Sequence, residues 1–120
     1  MLNFKISKTE KGISELHIKD VIDVSELERV PLDPVGTPFQ KKVWNALLKI
    51  KKGEVKTYAQ VAEMIGMPTA VRAVASAIAK NNIAILIPCH RVVRSDGTLG
   101  EYRWGKELKK KLLQSEGIQV

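Results

Sequence analysis

A chain of 120 residues, 44% hydrophobic and 28% charged, can bury one modest core, and that balance excludes the disordered and fibrous classes. The net charge of +7 is unevenly spread: residues 1–35 carry five Lys/Arg against seven Asp/Glu, whereas residues 36–120 carry fifteen against six, which points to a polyanionic partner such as nucleic acid. A single cysteine, Cys89, rules out an internal disulfide, and His17 and His90 are too few histidines for a Cys/His zinc site, so neither metal nor cofactor is expected.

No apolar run approaches the roughly 18 to 20 residues of a bilayer span. Met1–Lys5 also lacks the long apolar stretch of a signal peptide, so a cytoplasmic protein with no membrane partner is expected. Leu2, Phe4 and Ile6 alternate with polar residues, Thr9-Glu10-Lys11-Gly12 supplies turn chemistry, and Leu16 and Ile18 alternate again. Residues 2–19 therefore read as a β-hairpin, which must pack on something else to be stable. Three prolines and a glycine between Val30 and Pro38 mark a linker, with an organisational boundary near residue 35.

Thr37-Pro38-Phe39-Gln40 opens a helix with a cap, a proline at its first position and a glutamine that completes a capping box, and Gly53 is its expected end. Thr57-Tyr58-Ala59-Gln60 repeats the pattern, and Gly66 stands where a C-terminal glycine belongs. Thr69 is the expected cap of a third helix over about 70–80. Two short helices joined by a tight turn outline a helix-turn-helix. On the third helix Val71, Val74 and Ile78 point one way, while Arg72, Ser76 and Lys80 recur at i, i+4 and i+8 on another side. That exposed row suits a DNA-facing helix; close helix packing explains the intervening alanines equally well.

Ile83–Ile87 is a short apolar run ending at Pro88-Cys89-His90-Arg91-Val92, a buried segment that delivers a cysteine and a histidine to the edge of the core. A last basic helix follows over 106–115, its inner stripe of Leu108 and Leu112 continued by Glu116, a carboxylate either at a frayed end or buried for a reason. The Lys109-Lys110-Lys111 run reads as a solvated face. Arg91 and Arg94 read as structural or phosphate-contacting.

Pro88-Cys89-His90-Arg91-Val92 strongly resembles the active-site motif of the O6-alkylguanine-DNA alkyltransferases. The resemblance covers about 36–117 and includes, in order, Thr37–Gln40, Thr57-Tyr58, Ala70–Val74, Asn81, Ile85–Val92, Tyr102–Gly105, Leu112-Leu113 and Glu116-Gly117. It implies an α+β fold in which a reduced N-terminal hairpin region, 1–35, precedes a mostly helical, winged helix-turn-helix-like alkyltransferase domain, 36–120. It further implies a monomer with no obligate protein partner. The implied reaction is single-turnover repair of double-stranded DNA containing O6-alkylguanine, with O4-alkylthymine a further candidate substrate.

On the same ground, Cys89 is the implied alkyl acceptor, His90 activates it through a water, and Glu116 orients the histidine. Tyr58 protonates the departing guanine and Asn81 lies at the hinge of the active-site wall. Arg72 takes the place of the flipped nucleotide, and Thr69, Ala70, Val71, Ser76 and Lys80 accompany it on the DNA face. Tyr58, Val92, Tyr102 and Arg103 form the implied substrate pocket. The sequence departs from the family pattern in its short N-terminal region and in Arg103, where some members carry a serine. The competing readings are a non-catalytic alkylated-base binder, from which Cys89 argues away, and a helix-turn-helix regulator, which would need no Cys89, His90 and Glu116 together.

Overall fold

The computed structural model describes residues 4–120, so the expectation for Leu2 lies outside the described residues. Strands β1 (Phe4–Thr9) and β2 (Gly12–Ile18) pair antiparallel, with Phe4 opposite Ile18 and Ile6 opposite Leu16. The register shifts between Ser7 and Lys8, a bulge that lets the strands curl. Alternation sends Leu16 and Ile18 into the core, and Ile13 joins them.

The far side of β2 is occupied as well. Ile13 donates to the Pro31 carbonyl at 2.9 Å and accepts from the Asp33 amide at 2.7 Å, so the proline-rich segment lies along the strand. Gly12 makes this possible: at φ +143° a Cβ there would sit 2.1 Å from the Pro31 oxygen. Further along, Leu16 donates to the Asn82 carbonyl and accepts from the Ala84 amide, both at 2.8 Å. The hairpin residues Ile13, Leu16 and Ile18 share one continuous core with Val43, Trp44, Leu47, Val74 and Ile83.

Helix α1 (Pro38–Leu47) carries the full capping box between Thr37 and Gln40. It stops at Leu47 rather than running to Gly53, because Lys49 and Ile50 turn back onto the Ala46 and Leu47 carbonyls. That tightening drives Ile50 into the core, where it is 1% exposed. The indole of Trp44 donates to the Ala77 carbonyl at 2.8 Å and ties α1 to the third helix.

Thr57 closes β3 (Lys56–Thr57) and also caps α2 (Tyr58–Met64) through a second capping box. Gly66 follows at φ +75°. Helix α3 (Val71–Ala79) begins without a side-chain cap. Ala70, not Thr69, stands at the cap, because the Ala70 amide closes a backbone turn onto the Met67 carbonyl and leaves Thr69 exposed. A 3-10 turn, Cys89–Arg91, leads into β4 (Val92–Val93), which pairs parallel with β3. Since Thr57 lies opposite Val93, this two-residue joint sets where Tyr58 starts relative to the cysteine motif.

Helix α4 (Lys106–Ser115) buries Leu108, Leu112 and Leu113. It also buries Lys109, which is 0% exposed, so the lysine run is a solvated face only at Lys110 and Lys111. The ammonium is accommodated because backbone carbonyls of β4 and the loop after it converge on it. Among the described residues no helix is long and apolar enough to cross a membrane.

Candidate active site

Cys89 begins the 3-10 turn, its amide held by the Ile87 carbonyl at 2.8 Å and its side chain almost wholly buried. Asn81, 1% exposed, is the organiser of this corner. Its Oδ1 accepts from the Ile83 amide at 2.9 Å, and its Nδ2 lies 3.0 Å and 3.1 Å from the Ile83 and Ile87 carbonyls and 3.3 Å from the Cys89 sulfur. One amide thus pins the apolar run at both ends and points a donor at the sulfur. Burial nevertheless dominates and pushes the thiol up to about 11, opposed by the Asn81 hydrogen bond and by the positive charges of Lys109 and Arg103.

His90 is fully buried, with Nε2 3.0 Å from Glu116 Oε2. Because that carboxylate is an acceptor, Nε2 carries the proton in the neutral ring. Nδ1 is then the basic nitrogen, and it is buried without a partner among the described residues. Burial lowers the imidazole's proton affinity despite the carboxylate, so the resting pair is a thiol beside a neutral histidine. Burial would raise the Glu116 carboxyl, but hydrogen bonds from His90 and Arg91 win and hold it at about 2. Arg91 grips both Glu116 oxygens, Nε to Oε1 at 2.9 Å and Nη2 to Oε2 at 2.8 Å, while its Nη1 donates to the Ile50 carbonyl at 2.8 Å. The carboxylate that continues the α4 stripe is therefore buried between a histidine and a bidentate arginine.

Above the sulfur opens a largely apolar cavity of about 330 Å³. Val71, Arg72, Ala75, Ile78 and Ala79 of α3 form one wall, Tyr58 another, and Arg94, Glu101, Tyr102 and Arg103 the loop side, with Cys89 in the lining. Alanines at 75 and 79 make the room. Gly100, at φ +76°, lets the loop close on the tyrosine, since a Cβ there would lie 3.1 Å from the Tyr58 hydroxyl. Burial, then the nearby Cys89 sulfur, raises the Tyr58 phenol, which favours the protonated, donating form. The Tyr102 hydroxyl is also buried with no partner among the described residues.

Of the residues expected in the pocket, Tyr58, Tyr102 and Arg103 line the cavity and Val92 is the exception. Val92 does not line the cavity: it is 0% exposed in the core, with its carbonyl accepting from Lys109 Nζ at 2.6 Å. Thr69, Ala70, Ser76 and Lys80 stand outside the cavity, Ala70 half-buried and the other three exposed on or beside α3. Sequence reasoning missed Lys109 and the grip of Arg91 on Glu116. Lys109 Nζ bonds the carbonyls of Val92, Leu99 and Glu101. The only available signal was spacing, since 109 falls next to Leu108 and one turn before Leu113. Burial lowers this ammonium to about 8, opposed by Cys89 and Glu101. Among the described residues no three of His, Cys, Asp and Glu gather as a metal site requires.

The fold and site define a small α+β domain that sets α2 and α3 beside a buried cysteine, followed by a histidine tied to a glutamate. Residues 38–118 match the family described as 6-O-methylguanine DNA methyltransferase, DNA binding domain, and the chain belongs to that family. It is 60% identical over 87 residues to the bifunctional transcriptional activator/DNA repair enzyme Ada of Escherichia coli, covering 72% of this chain and 25% of that protein. A methylated-DNA--protein-cysteine methyltransferase of Kluyveromyces lactis is 55% identical over 82 residues, 68% of this chain and 43% of the relative. The chain thus spans well under two thirds of those relatives. The Mycobacterium tuberculosis OGT crystallised in complex with DNA superposes with a TM-score of 0.83 at 31% identity, over 94% of this chain and 85% of that one.

Proposed function

We propose that this chain repairs double-stranded DNA by moving the alkyl group of O6-alkylguanine irreversibly onto Cys89. The observation that carries the reading is a lone buried nucleophile lining an apolar cavity, held by Asn81 and followed by a neutral histidine tied to a carboxylate. Family membership supports it, as does the likeness to an OGT crystallised with DNA.

In this reading Thr69, Ala70, Val71, Arg72, Ser76 and Lys80 face the DNA. The target base is flipped out, at a cost of a few kcal/mol, and Arg72 fills its place in the stack. The base enters the cavity against Tyr58, Tyr102 and Arg103. A bridging water passes the thiol proton to His90 Nδ1, Glu116 steadies the resulting imidazolium, and the thiolate attacks the alkyl carbon. The S–C bond forms as the C–O6 bond breaks, and the electron pair left on guanine is neutralised by the Tyr58 proton. General acid help of this kind is worth on the order of 10² to 10⁴ in rate. The resting thiol at about 11 fits a nucleophile that ionises only when substrate and proton acceptor are in place.

The same reading makes 36–120 the alkyl-transfer domain and 1–35 its reduced N-terminal companion, acting as a cytoplasmic monomer. Intact-mass spectrometry after incubation with an O6-methylguanine duplex tests it: one added methyl per chain, mapped to Cys89, is the expected result. Unchanged mass with retained binding would turn the reading to an alkylated-base binder.

A further inference from the structure

His17 on β2 belongs to no step of the proposed reaction, yet it is wired to the cavity wall. The Trp104 indole N–H lies 3.1 Å from His17 Nδ1, and His17 Nε2 lies 3.1 Å from Glu15 Oε1. An indole nitrogen can only donate, so Nδ1 accepts and the ring proton on Nε2 goes to Glu15. Trp104 in turn packs edge-on against Tyr102, centroids 5.2 Å apart, and Tyr102 stands 6.4 Å from His90. Arg103 lies 5.7 Å over the Trp104 ring and donates to the Asn81 carbonyl at 3.3 Å and to the Asn82 side chain. The loop closes through the neighbouring residue of β2, because Leu16 holds the backbone of Asn82 and Ala84 at 2.8 Å.

Two adjacent residues of one strand therefore grip both sides of the site: Leu16 the turn that carries Asn81, His17 the segment that carries Tyr102 and Arg103. We propose that His17 is a positioning residue for alkyl transfer, and that the N-terminal hairpin acts as a template fixing Tyr102 and Arg103 against the Asn81 corner around Cys89. This rests on the alkyl-transfer reading and adds to it a task for the hairpin. The contact is directional rather than apolar: the His17 side chain is 31% exposed, and what it supplies is an acceptor that orients the indole plane. Glu15 on its own strand, Lys5 opposite it on β1 and Arg103 beyond Trp104 are the charged groups around it.

The test uses the full chain and an O6-methylguanine duplex, measuring the dissociation constant and the first-order transfer rate at saturating DNA, with Tm as the fold control. Because small misplacements of reacting groups are costly, His17→Ala and Trp104→Phe should each slow transfer roughly tenfold, with DNA affinity held within about twofold. His17→Asn, whose Oδ1 takes the place of Nδ1, should recover transfer to within about threefold of wild type. The double variant His17→Ala/Trp104→Phe should be no slower than either single change, since the two remove one interaction. Wild-type transfer by His17→Ala, multiplying losses in the double variant, or an asparagine variant as slow as the alanine one at wild-type Tm would each overturn the proposal. A wild-type chain that transfers nothing would overturn the alkyl-transfer reading and this one with it, a result distinct from any ratio among variants.

Discussion

At Cys89 burial opposes four favourable influences, among them the Asn81 amide and the Lys109 and Arg103 charges, and the thiol is still pushed up to about 11. The free protein should therefore react slowly with iodoacetamide at neutral pH, the rate climbing about tenfold per pH unit until it levels near 11. A plateau at neutral pH would show a resting thiolate instead. Asn81→Ala removes the donor to sulfur, orphans the Ile83 amide and takes one of the two donors from each of the Ile83 and Ile87 carbonyls. It should push the thiol higher and lower stability by about 2 kcal/mol, the order expected for buried groups left unpaired, as read from urea midpoints. Glu116→Gln keeps a hydrogen bond to His90 but no longer supports positive charge on it, and it strips Arg91 of its counter-charge. Transfer should slow severalfold with DNA affinity nearly intact; an unchanged rate would reduce Glu116 to a helix-end carboxylate. What the sequence could not show at this scale was Arg91, because a guanidinium that reaches across 25 residues to a carboxylate leaves no periodic trace.

Among the elements, those with local chemistry were legible and those made by tertiary contact were not. Both capping boxes announce their helices because the residues that satisfy the first amides are three apart in sequence. The early end of α1 depends on the distant core that receives Ile50 and the burial of Lys109 on carbonyls of β4 and the loop after it, while the uncapped start of α3 comes from a backbone turn, Ala70 onto Met67, that no side-chain signature marks. Lys109→Met should keep the helix but leave those carbonyls unpaired, costing on the order of 2 to 3 kcal/mol and loosening the wall that carries Glu101 and Tyr102. A Tm equal to wild type would show that the ammonium contributes nothing net. On α3, Arg72 is exposed at the cavity rim, one turn before Ala75 and Ser76. Its replacement by alanine should slow transfer from duplex DNA more than from the free modified base, since flipping is needed only for the first. Equal losses on both substrates would make its role structural.

For the whole molecule, charge and titration set behaviour that no single contact does. In the proposed function the excess of nine positive charges over 36–120 serves phosphate contact, and no array of base-reading side chains is evident, so DNA binding should be sequence-independent and weaken steeply with salt. Stability should decline on acidification, and the sign of its pH dependence follows from four buried groups. Burial holds His90 below its ordinary 6.5, so as pH falls past that value the unfolded chain takes up a proton that the folded one resists, and stability declines. Glu116, held at about 2 against an ordinary 4.5, adds a second loss between those two values. With allowance for solvent screening, that second loss is on the order of 2 kcal/mol. On the alkaline side two groups oppose each other: Cys89, raised from 9.0 to about 11, loses its contribution as pH rises between those values, whereas Lys109, lowered from 10.5 to about 8, adds stability as pH rises between 8 and 10.5. Urea midpoints should therefore fall as pH drops below 6.5, while above 8 the Lys109 gain and the Cys89 loss pull in opposite directions. Glu116→Gln should flatten the more acid part of that decline, and Cys89→Ala, by removing the opposing group, should leave a midpoint that rises between about pH 8 and 10. A midpoint that rises on acidification below 6.5 would mean that His90 is charged in the folded protein, and with it the assignment of a thiol beside a neutral imidazole as the resting state would fall.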